Sequence, residues 1–304
     1  MLEIAIMIEG QNGLTWPRWQ KIARLVEELG FIGLYRSDHF TNSNPPNIES
    51  LELWTSLTWL VCNTTRIEFG PLVTPFSFRH PVHTARMASA VDDLSSGRLT
   101  LGLGAGWQDR EHQLFGFDLL EMKPRFDRFD EGMEVVTRLL QSDEPVTFDG
   151  KYYQLRDATL LPRPQRRGGP KILVGGNGGK RTMQNVVRYA EEWNCNFIRL
   201  HDFERLNQQL DQMLGDAGRS PKSVRRSMMT GCVFGKDHAA LKEKISARKR
   251  SFDELRGRGI VVGSAIQVKE QLHELEEAGL GRVMLQWLDL DDLEGLVSLA
   301  KAVL

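Results

Sequence analysis

Residues 97–116 read GRLTLGLGAGWQDREHQLFG: a short apolar strand that runs into glycines and then into a sudden cluster of polar side chains. Ser95-Ser96-Gly97 is a turn signal, and Leu99, Thr100, Leu101 and Leu103 suit a buried strand that carries Gly104-Ala105-Gly106 to its carboxyl end. Glycines there leave no side chain to hold a flat ligand at a distance. Trp107, Asp109, Arg110, Glu111 and His112 follow at once. That is the arrangement of a site at the carboxyl end of a parallel strand. A tight turn opening a solvated helix is the plainer reading of the same residues. The same design recurs along the chain, which favours the site.

Working outward, strand-like and helix-like segments alternate. Strands are predicted at 3–8, 32–36, 66–73, 99–103, 171–174, 196–200, 228–234 and 282–287. Helices with apolar residues three or four apart are predicted at 51–62, 81–94, 125–140, 180–192, 203–217, 239–255, 268–278 and 291–302, after a first one that carries Ile22, Leu25, Val26 and Leu29 and closes at Gly30. Eight strands separated by helices, in a chain of 304 residues, predict an α/β protein of the (β/α)₈ barrel type, one domain over 1–304. Residues 146–155, VTFDGKYYQL, read as a hairpin turning at Asp149-Gly150, inserted between the fourth helix and the fifth strand.

Composition bounds the function classes. Thirty-nine Lys and Arg balance 40 Asp and Glu, so no global field points to nucleic acid or an anionic membrane. Three scattered cysteines suit a reducing cytoplasm and argue against a disulfide framework or a structural zinc site. The start, MLEIAIMIEG, is acidic and turns polar too soon for a signal peptide or a membrane span. The expectation is a soluble cytoplasmic protein acting on a small molecule.

Polarity gathers at other strand ends too. Asp38-His39 closes the second strand: His39 is suited to exchange a proton near neutral pH, with Asp38 to fix its tautomer or bind a ligand N–H, unless the pair is an N-cap Asp with a surface His. No metal is predicted, because the histidines lack helical HxxxH spacing or a thiolate pair. In the third strand, Pro71 and Pro75 bracket Leu72-Val73-Thr74, a stiff, irregular backbone suited either to back an aromatic ligand or to pack the rim. After the fifth strand, Gly175-Gly176-Asn177-Gly178-Gly179 precede Lys180-Arg181-Thr182 at a helix start, which suits a phosphate. Neither this loop nor Gly102, Gly104 and Gly106 satisfies the Walker or dinucleotide fingerprint.

SDHF at 37–40, GPLVTP at 70–75, the run 92–116, FDGKYYQLRDA at 148–158, PRPQ at 162–165, ILVGGNGGKRT at 172–182 and AEEWN at 190–194 together resemble the bacterial luciferase-like oxidoreductases, most closely the branch that uses the deazaflavin coenzyme F420. Residues 262–286 resemble that family's last helix and strand. The resemblance implies a barrel with the deazaflavin across the carboxyl ends of its strands. It implies Asp38 and His39 beside the reactive ring as catalytic residues, and Leu72, Val73 and Thr74 as a bulge behind it, often with a non-proline cis peptide. Gly104, Ala105 and Gly106 would allow close approach, and Gly175, Gly176, Asn177 and Gly178 would hold the cofactor phosphate. The family's sugar-phosphate dehydrogenases carry an acidic proton donor after the glycine turn, where this chain has Trp107. That departure argues against glucose 6-phosphate and for a flatter or more apolar substrate, with Trp107 as its wall and Arg110 or His112 to orient it. The implied activity is hydride transfer between F420 and an organic substrate. The rivals are an FMN-dependent monooxygenase and a non-catalytic cofactor-binding protein. A homodimer is expected, through apolar residues of the second helix such as Leu51, Trp54, Leu57, Leu60 and Val61.

Overall fold

A computed structural model describes residues 1–304. Its central strands are β1 (Glu3–Ile8), β2 (Gly33–Arg36), β3 (Glu68–Pro71) continued by β4 (Thr74–Pro75), and β5 (Thr100–Gly104). After the hairpin β6 (Val146–Asp149) and β7 (Gln154–Ala158), the barrel resumes with β8 (Lys171–Gly175), β9 (Glu192–Asn196) and β10 (Arg225–Phe234). A short β11 (Val261–Gly263) pairs outside the barrel on β10, and β12 (Arg282–Gln286) returns to β1. Every barrel pairing is parallel, and β4 on β5 with a bridge between Phe69 and Leu99 completes the ring. The fold is thus a closed (β/α)₈ barrel.

Helices α1 (Trp16–Leu29), α2 (Leu53–Asn63) and α3 (Pro81–Leu94) cover the first strands, followed by α4 (Asp109–Phe115), α5 (Met122–Gln141), α6 (Lys180–Tyr189) and α7 (Leu200–Asp216). The set ends with α8 (His238–Ala247), α9 (Phe252–Arg256), α10 (Ala265–Glu277) and α11 (Leu293–Val303). Local sequence explains their limits: Pro81 starts α3, and Gly30 ends α1 in the left-handed region at φ 96°. The period-2 alternation of the strands makes two cores. Ile4, Ile6 and Ile8 of β1 face the helices in the large core, while Ala5 and Met7 point inward to meet Tyr35, Leu173, Met229 and Met284.

Three boundaries differ from the sequence expectation. The sixth barrel strand is 192–196 rather than 196–200, and the helix before it stops at Tyr189. Its inward positions are polar, with Glu192 held by Arg282 and Asn194 donating to Ser227 Oγ at 2.9 Å, so the apolar signal moved to the loop residues Phe197 and Ile198. The third strand breaks at Leu72-Val73, whose peptide is cis. The segment read as one helix over 239–255 is two, because a Ser251–Glu254 capping box starts a new one. Of the apolar residues that suggested a dimer face, Trp54, Leu57, Leu60 and Val61 are buried within the single chain, and Leu51, just before α2, is partly buried against the same core. No helix is long and apolar enough to cross a membrane.

Candidate active site

The carboxyl ends of β1 to β5, β8, β9 and β10 open into a cleft of about 720 Å³. Its back wall is built from Val73. A Cβ on Gly104 would lie 2.4 Å from Val73 Cγ2, and one on Gly175 would lie 3.0 Å from its Cγ1. The glycines at these strand ends therefore make room for the bulge, which in turn presents Leu72 and Val73 to the cleft. Above it, Gly175, Gly176, Asn177 and Gly179 line the cleft together with Thr182 at the start of α6. Gly176 sits at φ 140°, a conformation that L side chains rarely adopt, so this loop requires glycine. Its backbone N–H groups at a helix N-terminus suit an anionic group.

A histidine–glutamate pair in the cleft is assembled from two distant segments. His39 Nδ1 lies 2.8 Å from Glu111 Oε1, and Glu111 Oε2 accepts the Phe40 N–H at 2.9 Å. Glu111 lies four residues past Trp107, in the first turn of α4, and is 1% exposed. Both side chains line the cleft, and His39 Nε2 has no protein partner. Burial works against the imidazolium, but the hydrogen bond and charge of Glu111, helped by Glu9 and Asp38, outweigh it and hold the His39 pKa above the ordinary histidine value. Behind this pair, Phe40 packs against Phe78, Phe115 and Phe117, which fixes the loop after β2 to α4. Glu9, at the end of β1, adds a second carboxylate to the cleft, held by Gln286 at 2.6 Å and Gln11 at 2.8 Å.

Asp38 does not orient His39. It lines the cleft but pairs with Arg79, and it accepts the Thr74 hydroxyl at 2.6 Å. The contact expected of Asp38 is made by Glu111, because His39 turns toward α4 whereas Asp38 turns toward the third strand. Thr74 is accordingly buried under Asp38 and is absent from the cleft wall. Gly104, Ala105, Gly106 and Trp107 all line it, and Trp107 is 61% exposed at the rim, its ring edge-on to His39 at 5.6 Å.

Arg110 is not in the cleft: it donates to Thr41, Asn42 and Asn47 and ties α4 to the loop after β2. Gly178 also turns away, toward Leu206 of α7. Arg181 is occupied by Asp127 and Asp130 on α5 and so is no phosphate ligand. His112 is no solvated turn residue, since it is buried with Nε2 2.8 Å from Ser77 Oγ. Glu9 and Arg79 escaped sequence reasoning, and Glu111 was read only as one of the polar residues after the glycine turn, not as the partner of His39. The one local signal was the position of Glu111, just beyond a glycine-rich strand end.

The family described as luciferase-like monooxygenase matches residues 3–257. An F420-dependent glucose-6-phosphate dehydrogenase of Microbacterium testaceum is 30% identical over 231 residues, 72% of this chain and 65% of that protein. A 4-hydroxyprotoasukamycin monooxygenase of Streptomyces nodosus subsp. asukaensis is 25% identical, over 93% of this chain and 84% of the relative. The chain thus spans slightly under two thirds of the length of the first of these relatives. Among solved structures, an F420-dependent secondary alcohol dehydrogenase in complex with an F420-acetone adduct superposes with a TM-score of 0.87 at 17% identity, covering 100% of this chain and 98% of the other. That likeness speaks for the fold alone.

Proposed function

The chain belongs to the luciferase-like monooxygenase family, and on that premise we propose that it is an F420-dependent oxidoreductase that transfers a hydride between the deazaflavin and an organic substrate. The observation that carries this reading is the His39–Glu111 pair, facing a cleft backed by the Val73 bulge and closed by the glycine loop. These residues fit a planar cofactor with a phosphate: Leu72 and Val73 offer an apolar face, and Gly175, Gly176 and Asn177 offer backbone at a helix start. When bound, the deazaflavin supplies a two-electron hydride donor or acceptor.

The chain's own residues supply the proton. Glu111 raises the His39 pKa above the ordinary histidine value, which suits the ring to deliver a proton to a substrate oxygen, or to take it back in the oxidative direction. Glu111 fixes the ring and balances its charge, while Trp107 walls the outer side of the site, in keeping with a flat or apolar substrate. Trp107 also stands where a sugar-phosphate dehydrogenase carries its acid, so glucose 6-phosphate does not suit this site.

FMN-dependent oxygenation is the second reading, favoured by the monooxygenase relative that aligns over 93% of the chain. Titration with F420 and with FMN, followed by ring fluorescence, separates them. Tighter F420 binding and turnover without oxygen are expected; tight FMN binding with no measurable F420 binding overturns the reading. A cytoplasmic homodimer completes the proposal. Three free cysteines suit a reducing compartment, and the dimer rests on family resemblance, with sedimentation at micromolar concentration as its test.

A further inference from the structure

Three carboxylates line the ring cleft, and two of them are matched: Asp38 by Arg79 and Glu111 by His39. Glu9 forms no ion pair. Its Oε2 accepts from the Gln11 amide at 2.8 Å and its Oε1 from the Gln286 amide at 2.6 Å. Two neutral amides fix the direction of the carboxylate and leave its charge uncancelled, with lone pairs to spare. Buried Arg36 does not touch it, because that guanidinium is taken by Ser56 Oγ and the carbonyls of Ser37, Leu51 and Glu52.

The strand order sets this charge apart from the glycine loop. Around the ring, β1 and β8 are separated by β12, β10 and β9 on one side and by β2, the β3–β4 pair and β5 on the other, so Glu9 lies across the mouth from Gly175 and Gly176. The arginine of the cleft, Arg125, belongs to the loop's side: Arg181 at the start of α6 reaches Asp127 and the Lys123 carbonyl on the same turn of α5. A second acceptor joins Glu9. Asn194, 3% exposed, lines the cleft with its Nδ2 donated to Ser227 Oγ, and its Oδ1 accepts from no protein donor. Trp107, Phe126 and Phe129 give the same cleft aromatic walls, which favour a cation and do nothing for an anion. In a partly dry cleft, an unmatched carboxylate attracts a counter-charge more strongly than it would in water.

We infer that Glu9 selects an organic cation as substrate: a protonated amine sits against its carboxylate, an apolar body lies along the aromatic wall, and the reacting oxygen faces His39 Nε2. The substrate class is an amino alcohol or amino ketone. The alcohol or ketone part rests on the proposed hydride transfer, whereas the amine seat belongs to the cleft whatever ring compound it holds.

Calorimetric titration of the full chain at low ionic strength with phenethylamine, 2-phenylethanol and phenylacetate, three probes of similar shape and different charge, tests it. Wild type is expected to bind the amine about tenfold or more tighter than the alcohol or the acid, since charge-assisted bonds are the strong ones, and to lose part of that preference as salt rises. Glu9→Gln removes the charge at nearly constant shape, so the amine should fall to the level of the alcohol while the alcohol is unchanged. Glu9→Asp keeps the charge and should keep part of the preference. An unchanged melting temperature shows that each variant is folded, and the wild-type comparison decides by itself if one is not. No binding of any probe by wild type, no preference for the amine, or a preference that survives in folded Glu9→Gln overturns the inference. Ring-fluorescence titration is read separately: if neither F420 nor FMN binds wild type, the proposed function fails and the three-probe comparison still decides this one.

Discussion

His39 is held by a carboxylate 72 residues away in the chain, and that single contact changes what its imidazole does. A hydrogen-bonded carboxylate favours the imidazolium, so the His39 pKa lies above the ordinary value. His39→Ala is expected to lower turnover about a hundredfold or more, the scale of lost general acid–base help, with little change in cofactor affinity by ring fluorescence. Glu111→Gln keeps the hydrogen-bond geometry but removes the charge, so the His39 pKa falls. If reduction needs the protonated ring, activity is lost as pH rises through that pKa, and the pH–rate profile of Glu111→Gln should lose activity at lower pH than wild type. Stability follows the same sign. The pair stabilises the fold fully below about 6.5, the unfolded histidine value, and that contribution fades as pH rises through the raised folded value. Denaturant midpoints on the two sides of this window should differ in wild type and converge in Glu111→Gln.

Among the elements, the interrupted third strand depends on its neighbours. Val73 fills the space left by the missing Cβ atoms of Gly104 and Gly175, so β5 and β8 hold the bulge from both sides. Gly104→Ala places a Cβ 2.4 Å from Val73 Cγ2, too close to accept without movement. Overpacking of this kind costs roughly 1–3 kcal/mol, read as a lower urea midpoint. Adding Val73→Ala should recover much of the loss, and the non-additivity of the double-mutant cycle measures the contact. Recovery without coupling would mean that the bulge does not rest on Gly104.

Across the whole molecule, Arg282 ties the amino-terminal end of the barrel together. Fully buried on β12, it reaches Glu3 of β1 at 2.6 Å, Tyr35 Oη of β2 at 2.6 Å, Glu68 of β3 at 2.5 Å and Glu192 of β9 at 3.3 Å. Arg225 of β10 joins the same carboxylates at 3.2 Å from Glu3. Removing one partner of such a group leaves buried charge unpaired. Arg282→Met is therefore expected to cost about 3–5 kcal/mol of folding stability, by denaturant titration, even though it lies at the opposite end of the barrel from the cleft. Activity per folded molecule should stay near that of wild type. This layer lies at the end of the barrel away from the cleft, the end at which parallel barrels place stability.

The alternation of strands and helices, the glycine-rich strand ends and the Gly30 helix stop were legible from sequence because they depend on neighbours within a few residues: side-chain period, turn chemistry and missing Cβ atoms are local. Residues 97–116 therefore announced both a barrel strand and the edge of a site. What only the tertiary structure decided depends on closure of the ring, which sets which strand ends face one another. Closure gave His39 to Glu111 and Asp38 to Arg79, although Asp38 is adjacent to His39 in the chain. It turned Arg110 away from the cleft to hold a loop, and it buried the polar inward face of β9, hiding that strand from any reading by apolar runs. It also brought arginines from 199 to 258 around one cavity, a convergence of long-range contacts that no local pattern encodes.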